Sequence, residues 1–149
     1  MRLYLVQHGE AKPETEDPAR PLTDAGSARV REVVADATAA GLVKVDRIVH
    51  SGKTRARQTA EAWGEALGVT VETRDGLAPN DDPSIWAGQV GGDELMLVGH
   101  LPHLEKLTKL LIGDDADQPA FRNGELIGLE RDDSGRWAVV ISPPGAESA

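Results

Sequence analysis

The sequence predicts an α/β fold, a three-layer α/β/α sandwich with a mainly parallel sheet. Three observations carry this reading. Strand-like and helix-like segments alternate along the chain. The early strands are continuous apolar runs, as expected of strands covered on both faces by helices. The last two strand patterns meet at Asp132-Asp133-Ser134-Gly135, a turn signal that adds an antiparallel pair at the end.

Leu3 to Val6 is a short apolar run bounded by polar residues and reads as a buried strand. A loop rich in Pro and acids runs from about Ala11 to Pro21. Thr23 or Asp24 then offers an N-cap, Val30, Val33, Val34 and Ala37 recur at helical spacing, and Gly41 marks the stop. Val45 to Val49 reads as the second strand. Arg55 to Leu67 is helical, with Ala56, Thr59, Ala60, Trp63 and Leu67 on one face and Gly68 at its end. Val69 to Thr73 alternates as a third strand. Leu77 to Gly92 is mostly loop, with one short helix near Ser84 to Gln89. Glu94 to Val98 is another apolar strand. Pro102 suits helix position N1, with Leu104, Leu107, Leu110 and Leu111 following on one face. Glu125 to Glu130 and Trp137 to Ile141 are the closing strands, and the tail from Pro143 is expected to fray.

The length of 149 residues suits a single domain spanning 1–149. Aromatics are only 3% of the chain, so Leu, Val, Ile and Ala must build the core. Twenty-five acids against sixteen bases give a net charge of −9. That balance argues against nucleic acid or an anionic membrane as partner, because both attractions need a surplus of Lys and Arg. The absence of cysteine excludes disulfides, zinc thiolates and a thiol nucleophile. No apolar run approaches a membrane span, and the N-terminus lacks the features of a signal peptide, so a cytoplasmic location is expected.

In parallel sheets ligands bind beyond the carboxyl ends of the strands. Three predicted strands end in Gln7-His8-Gly9-Glu10, His50-Ser51-Gly52-Lys53-Thr54-Arg55 and Gly99-His100-Leu101-Pro102. The last two run into helix N-termini, whose N–H groups and dipole favour an anion. Two histidines and an arginine beside helix ends suit a phosphoryl group, since Arg forks to two oxygens and His can donate, accept or attack. Gly9 is expected to let a phosphate approach the backbone.

Gln7-His8-Gly9-Glu10 resembles the Arg-His-Gly motif of the histidine phosphatase superfamily, with its phosphoglycerate-mutase-like fold. Pro21-Leu22-Thr23-x-x-Gly26, Ser51-x-x-x-Arg55-Ala56-x-Gln58-Thr59 and Val98-Gly99-His100 resemble its later landmarks, in the same order. The shortness of the chain and the Gly99-to-Pro102 ending look most like the small bacterial phosphohistidine phosphatases. The resemblance implies that His8 attacks phosphorus and is transiently phosphorylated, while Arg55 and His100 clamp the oxygens. Gln7, Gly9 and Ser51 complete the implied phosphate site. No metal or cofactor is implied, because side chains and dipoles meet the charge. The implied substrate is a phosphorylated protein, with phosphohistidine first and a small phosphoester as the alternative.

Two departures qualify the resemblance. Gln7 stands where the family has Arg, so a charge and a bidentate fork are missing. Either activity is weakened, leaving a phosphate-binding module, or another cation fills the space, with Arg20, Lys53 and Arg57 as candidates by position. The region after the third strand offers only Asp81 or Asp82 as proton donor, in a stretch that reads as a solvated loop. A missing acid favours imidazole, a better leaving group than an alkoxide.

The other candidates read as structure or surface. Glu10 is a rim residue, and His50 and His103 are structural or exposed. His100-x-x-His103 has metal-ligand spacing without a matching carboxylate pattern. Gly52-Lys53-Thr54 imitates the end of a P-loop, but Arg47 stands where that motif needs glycine. Asp114, Asp115 and Asp117 lack calcium-loop spacing.

Overall fold

The computed structural model describes residues 1–142, and the expected fraying from Pro143 lies outside them. Six strands and four helices follow one another as β1 (Arg2–Gln7), α1 (Asp24–Ala39), β2 (Arg47–His50), α2 (Thr54–Leu67), β3 (Val71–Thr73), α3 (Ser84–Ala87), β4 (Leu95–Gly99), α4 (His103–Ile112), β5 (Leu126–Arg131) and β6 (Trp137–Ile141). They form one sheet in the order β3-β2-β4-β1-β5-β6. The first four positions are parallel, and β5 and β6 add the antiparallel end.

The period-2 geometry of strands divides the core between the two faces. Tyr4, Val6, Ile48, Met96 and Val98 pack with Val30, Val34, Ala56, Ala60 and Trp63 of α1 and α2. Leu3, Leu5, Val49, Leu95, Leu97, Ile127 and Leu129 point the other way, to Trp86, Leu104 and Leu107 of α3 and α4. Apolar side chains on both faces explain why these strands read as unbroken hydrophobic runs. The three-layer architecture follows.

Thr23 caps α1, its hydroxyl accepting from the Gly26 N–H at 2.8 Å. Gly68 closes α2 in a left-handed conformation, φ 70°.

Several boundaries differ from expectation for identifiable reasons. β3 begins at Val71, because the Val69 N–H is spent on the Gly64 carbonyl at 3.0 Å as the chain doubles back over α2. Val45 precedes β2, and its apolar side chain serves packing on the first core. Pro102 is the N-cap of α4, one position before the N1 expected for it. Leu110 lies off the buried stripe of that helix and is 55% exposed.

The register places the site. Leu3, Arg47 and Leu95 lie in one row of β1, β2 and β4. The same step along each parallel strand, taken past its carboxyl end, reaches His8, Gly52 and His100.

Candidate active site

His8 lies just beyond β1 and its backbone is fastened from several directions. Its N–H donates to the Gly99 carbonyl of β4 at 3.0 Å, and the Gly124 N–H donates to the carbonyls of Gln7 at 2.9 Å and His8 at 3.0 Å. The next N–H, of buried Gly9, donates to Thr59 Oγ1 of α2 at 3.0 Å, and the Thr59 hydroxyl donates to the Arg55 carbonyl at 2.8 Å. Such fastening limits the positional error of a reacting atom, to which rate is sensitive.

The imidazole is oriented as well as placed. His8 Nδ1–H donates to the Gly9 carbonyl at 2.7 Å, and a carbonyl can only accept. The neutral ring therefore carries its lone pair on Nε2. Burial lowers the pKa of His8, the Gly9 bond opposes this, and the charges of Arg55 and Arg20 lower it further. The ring is half-buried, so Nε2 chemistry is compatible with access from outside.

His100, 1% exposed, lies with its ring centroid 5.0 Å from that of His8. Its Nε2 and the Ser51 hydroxyl share a hydrogen bond of 2.7 Å, and Ser51 Oγ also accepts from the Lys53 N–H at 3.3 Å. Burial, helped by His8, Arg55, Lys53 and His103, pushes the His100 pKa down to about 3. Its Nδ1 is buried without a hydrogen-bond partner among the described residues, and so is Nε of Arg55. Arg55 sits in the first turn of α2, where no side chain caps the helix. Burial and the charge of Arg20 lower its pKa. The site is thus a set of cationic and hydrogen-bonding groups whose charged forms repel one another, an arrangement that a bound anion relieves.

Gln7 points elsewhere. Its Nε2 donates to Asn123 Oδ1 at 2.6 Å, and its Oε1 is buried without a partner among the described residues. Gly9 serves packing. A Cβ there would meet Val30 Cγ2 at 2.7 Å and Leu22 Cδ2 at 3.1 Å, and its N–H is already spent on Thr59.

His50 is buried and structural. Its Nδ1 accepts from the Gly52 N–H at 3.0 Å, shaping the turn that presents Ser51. His103 is fully buried and its pKa is lowered, again by burial. Among the described residues no group of three or more His, Asp or Glu side chains is placed to hold a metal ion. Glu10 lies at the rim, its carboxylate accepting from the Thr23 hydroxyl at 2.8 Å. A cavity of about 350 Å³ beside Ser51 is lined by Asp81 and Asp82. Asp81 accepts from the Ala78 N–H at 2.9 Å and Asp82 from the Ser84 N–H at 2.9 Å. The bond to Ser84 lowers the pKa of Asp82 and keeps it ionised.

Sequence reading missed two fasteners. Thr59 was readable on an apolar helix face and within a family landmark, yet neither reading shows that its hydroxyl holds the Gly9 turn. Asn123 carries no signal, because its partner Gln7 is 116 residues away.

The parallel part of the sheet brings His8, Arg55 and His100 to its carboxyl edge, the arrangement that the resemblance to the histidine phosphatases implies. Residues 3–81 match the family model of the histidine phosphatase superfamily (branch 1), and the chain belongs to that superfamily. It is 26% identical to the phosphohistidine phosphatase SixA of Escherichia coli (strain K12) over 144 residues, which cover 91% of this chain and 88% of that protein. The structure of the protein histidine phosphatase SixA complexed with tungstate superimposes with a TM-score of 0.82 at 23% identity, covering 95% of each chain. A structure assigned to the phosphohistidine phosphatase SixA of Agrobacterium tumefaciens gives a TM-score of 0.76 at 26% identity, covering 95% of this chain and 97% of the other. The fold is therefore the phosphoglycerate-mutase-like one, and the chain is a phosphatase of the superfamily. No helix among the described residues is long and apolar enough to cross a membrane.

Proposed function

We propose that the protein hydrolyses phosphohistidine on a protein substrate through a phospho-His8 intermediate. The observation that carries this is the bond from His8 Nδ1–H to the Gly9 carbonyl, which leaves Nε2 free to attack. In the first step Nε2 bonds to phosphorus, the P–N bond to the substrate imidazole breaks, and that nitrogen takes a proton from solvent water, to which the attacking water of the second step returns one. In the second step water attacks phosphorus, His8 leaves, and inorganic phosphate departs. Arg55 and His100 hold the equatorial oxygens, and the uncapped start of α2 adds its dipole.

Leaving-group chemistry supports a P–N substrate. Asp82 is held ionised and Asp81 is engaged by Ala78, so neither is poised as a strong acid for an alkoxide. Imidazole departs with less help. The similarity to SixA, named a phosphohistidine phosphatase, agrees with this choice.

Trapping tests the proposal. Unsubstituted protein and His8→Ala are incubated without metal with phosphoramidate or with a generic phosphoester, then quenched in alkali. Acid-labile phosphate on the unsubstituted protein alone, formed faster from phosphoramidate, is the expected result. Hydrolysis that survives in His8→Ala refutes the nucleophile. Preference for the phosphoester transfers the assignment to small-molecule substrates. Phosphate binding without turnover identifies a module that kept the pocket and lost the chemistry.

A further inference from the structure

We propose that the guanidinium of Arg20 binds the phosphoryl oxygens beside His8 and Arg55, supplying the charge that position 7 lacks. The inference rests on the phosphatase reading above and adds a phosphate ligand to it. It starts from Gln7, whose amide donor is committed to Asn123 and which brings no charge to the site.

Arg20 lies in the loop between β1 and α1, and several bonds fix its place. The Arg20 N–H donates to the Asp17 carbonyl at 2.9 Å, and the Lys12 N–H to the Pro21 carbonyl at 2.8 Å. Ala11 and Leu22 form an antiparallel bridge across the loop. The Leu22 N–H donates to Gln58 Oε1 at 2.8 Å, tying this segment to α2 one turn after Arg55. The Arg20 backbone is left-handed, φ 50°, a conformation uncommon outside glycine, asparagine and aspartate.

The side chain is held too. Arg20 Nε donates to the Lys12 carbonyl at 3.0 Å, which anchors one edge of the guanidinium. Among the described residues Arg20 forms no ion pair, although Glu14, Glu16 and Asp17 share its loop. Its charge instead bears on His8 and on Arg55, lowering the pKa of both. Neither guanidinium has a carboxylate partner among the described residues, and the loop that carries Arg20 is tied to α2, whose first turn carries Arg55. Their repulsion is relieved when a dianion lies between them, and each fork can take two oxygens.

The other two candidate cations fit less well. Arg57 is engaged by Glu61 at 2.6 Å. Lys53 is exposed at the N-cap of α2, and its charge bears on His100 and not on His8.

The test is a double-substitution cycle read by binding of inorganic phosphate, measured by calorimetry and thermal shift, and by phosphoramidate labelling of His8. Arg20→Asn removes the charge and suits left-handed backbone. Arg20→Gly replaces it should that variant not fold, and Arg20→Lys keeps the charge without the fork. Arg20→Asn should weaken phosphate binding by about ten- to a hundredfold, the range for a charged hydrogen bond. Its labelling rate should fall by about a hundredfold. Arg20→Lys should fall between, and Arg57→Asn should match the unsubstituted protein. Gln7→Arg should recover much more binding in the Arg20→Asn background than in the unsubstituted one. Phosphate affinity of Arg20→Asn within about twofold of unsubstituted protein, the scatter expected of a surface change, overturns the assignment. So does an equal gain from Gln7→Arg in both backgrounds. Phosphate binding without any labelling of His8 defeats the phosphatase reading alone, and the binding cycle still decides Arg20. No phosphate binding by the unsubstituted protein overturns both.

Discussion

Replacing Gly26 by alanine sets two effects of known sign against each other. Gly26 lies in the first turn of α1, directly under the backbone that follows His8. A Cβ there would stand 2.2 Å from the Glu10 carbonyl oxygen and 3.0 Å from both the carbonyl carbon and the nitrogen of Glu10. Ordinary C···O contacts are about 3.3 Å or longer, so helix and loop must separate by about 1 Å. Overpacking of this kind costs about 1–3 kcal/mol, and here the obstruction is backbone and cannot rotate away. The higher helix propensity of alanine returns at most about 1 kcal/mol. A net loss of about 1–2 kcal/mol should lower Tm by about 2–8 °C for a chain of this length. The displaced segment begins two residues after His8, the proposed nucleophile, and a 1 Å misplacement can cost about a hundredfold in rate. Urea unfolding and phosphoramidate labelling of His8 measure the two consequences together. A Gly26→Ala variant at least as stable as the parent, with an undiminished labelling rate, refutes the claim that this glycine exists for close passage of the His8 loop.

Thr59→Val keeps the shape of a buried side chain and leaves the Gly9 N–H without its acceptor, so about 1–3 kcal/mol of stability should be lost together with labelling rate. Thr59→Ser should preserve both, and equal damage from the two substitutions would contradict the hydrogen-bond account. The buried histidines make stability depend on pH. His100 and His103 have folded-state pKa values below the unfolded value, so the unfolded chain binds more protons as pH falls beneath about 6.5. Their contribution is present above that pH and is lost on acidification, at up to about 1.4 kcal/mol per pH unit for each ring that stays neutral. Urea midpoints at pH 7.5, 6.5 and 5.5 should fall below 6.5, and a flat series would show that these rings accept protons when folded. The lowered pKa of His8 has the same sign in catalysis: the acid limb of kcat/KM should lie below 6.5.

The sequence carried the positions of the proposed reacting groups further than their surroundings. His8, Arg55 and His100 were readable because strand ends of a parallel sheet share one edge, and the register indeed puts His8 level with His100. Gly9 was readable as necessary, but its packing role was not. Val30 and Leu22, which occupy the space its side chain would take, arrive from an element whose docking no local pattern specifies. The same holds for Gln7, since a pair such as Gln7–Asn123 leaves no periodic trace. Val69 belonged to a run of strand character, yet its N–H closes the preceding helix, a choice made by Gly64 and Gly68. Arg20 was one of three cations near the motif in sequence. The anchor at the Lys12 carbonyl, the pairing of Arg57 with Glu61 and the exposure of Lys53 at the N-cap of α2 separate them.

The fastening of His8 by Gly99 and Gly124 has a consequence for when the chain becomes competent. His8 precedes in the chain the groups that hold it, at positions 99 and 124. A nascent or truncated polypeptide ending before Gly124 carries the histidine without its seat. The seat of His8 is complete once β4 and the approach to β5 have closed around the first strand.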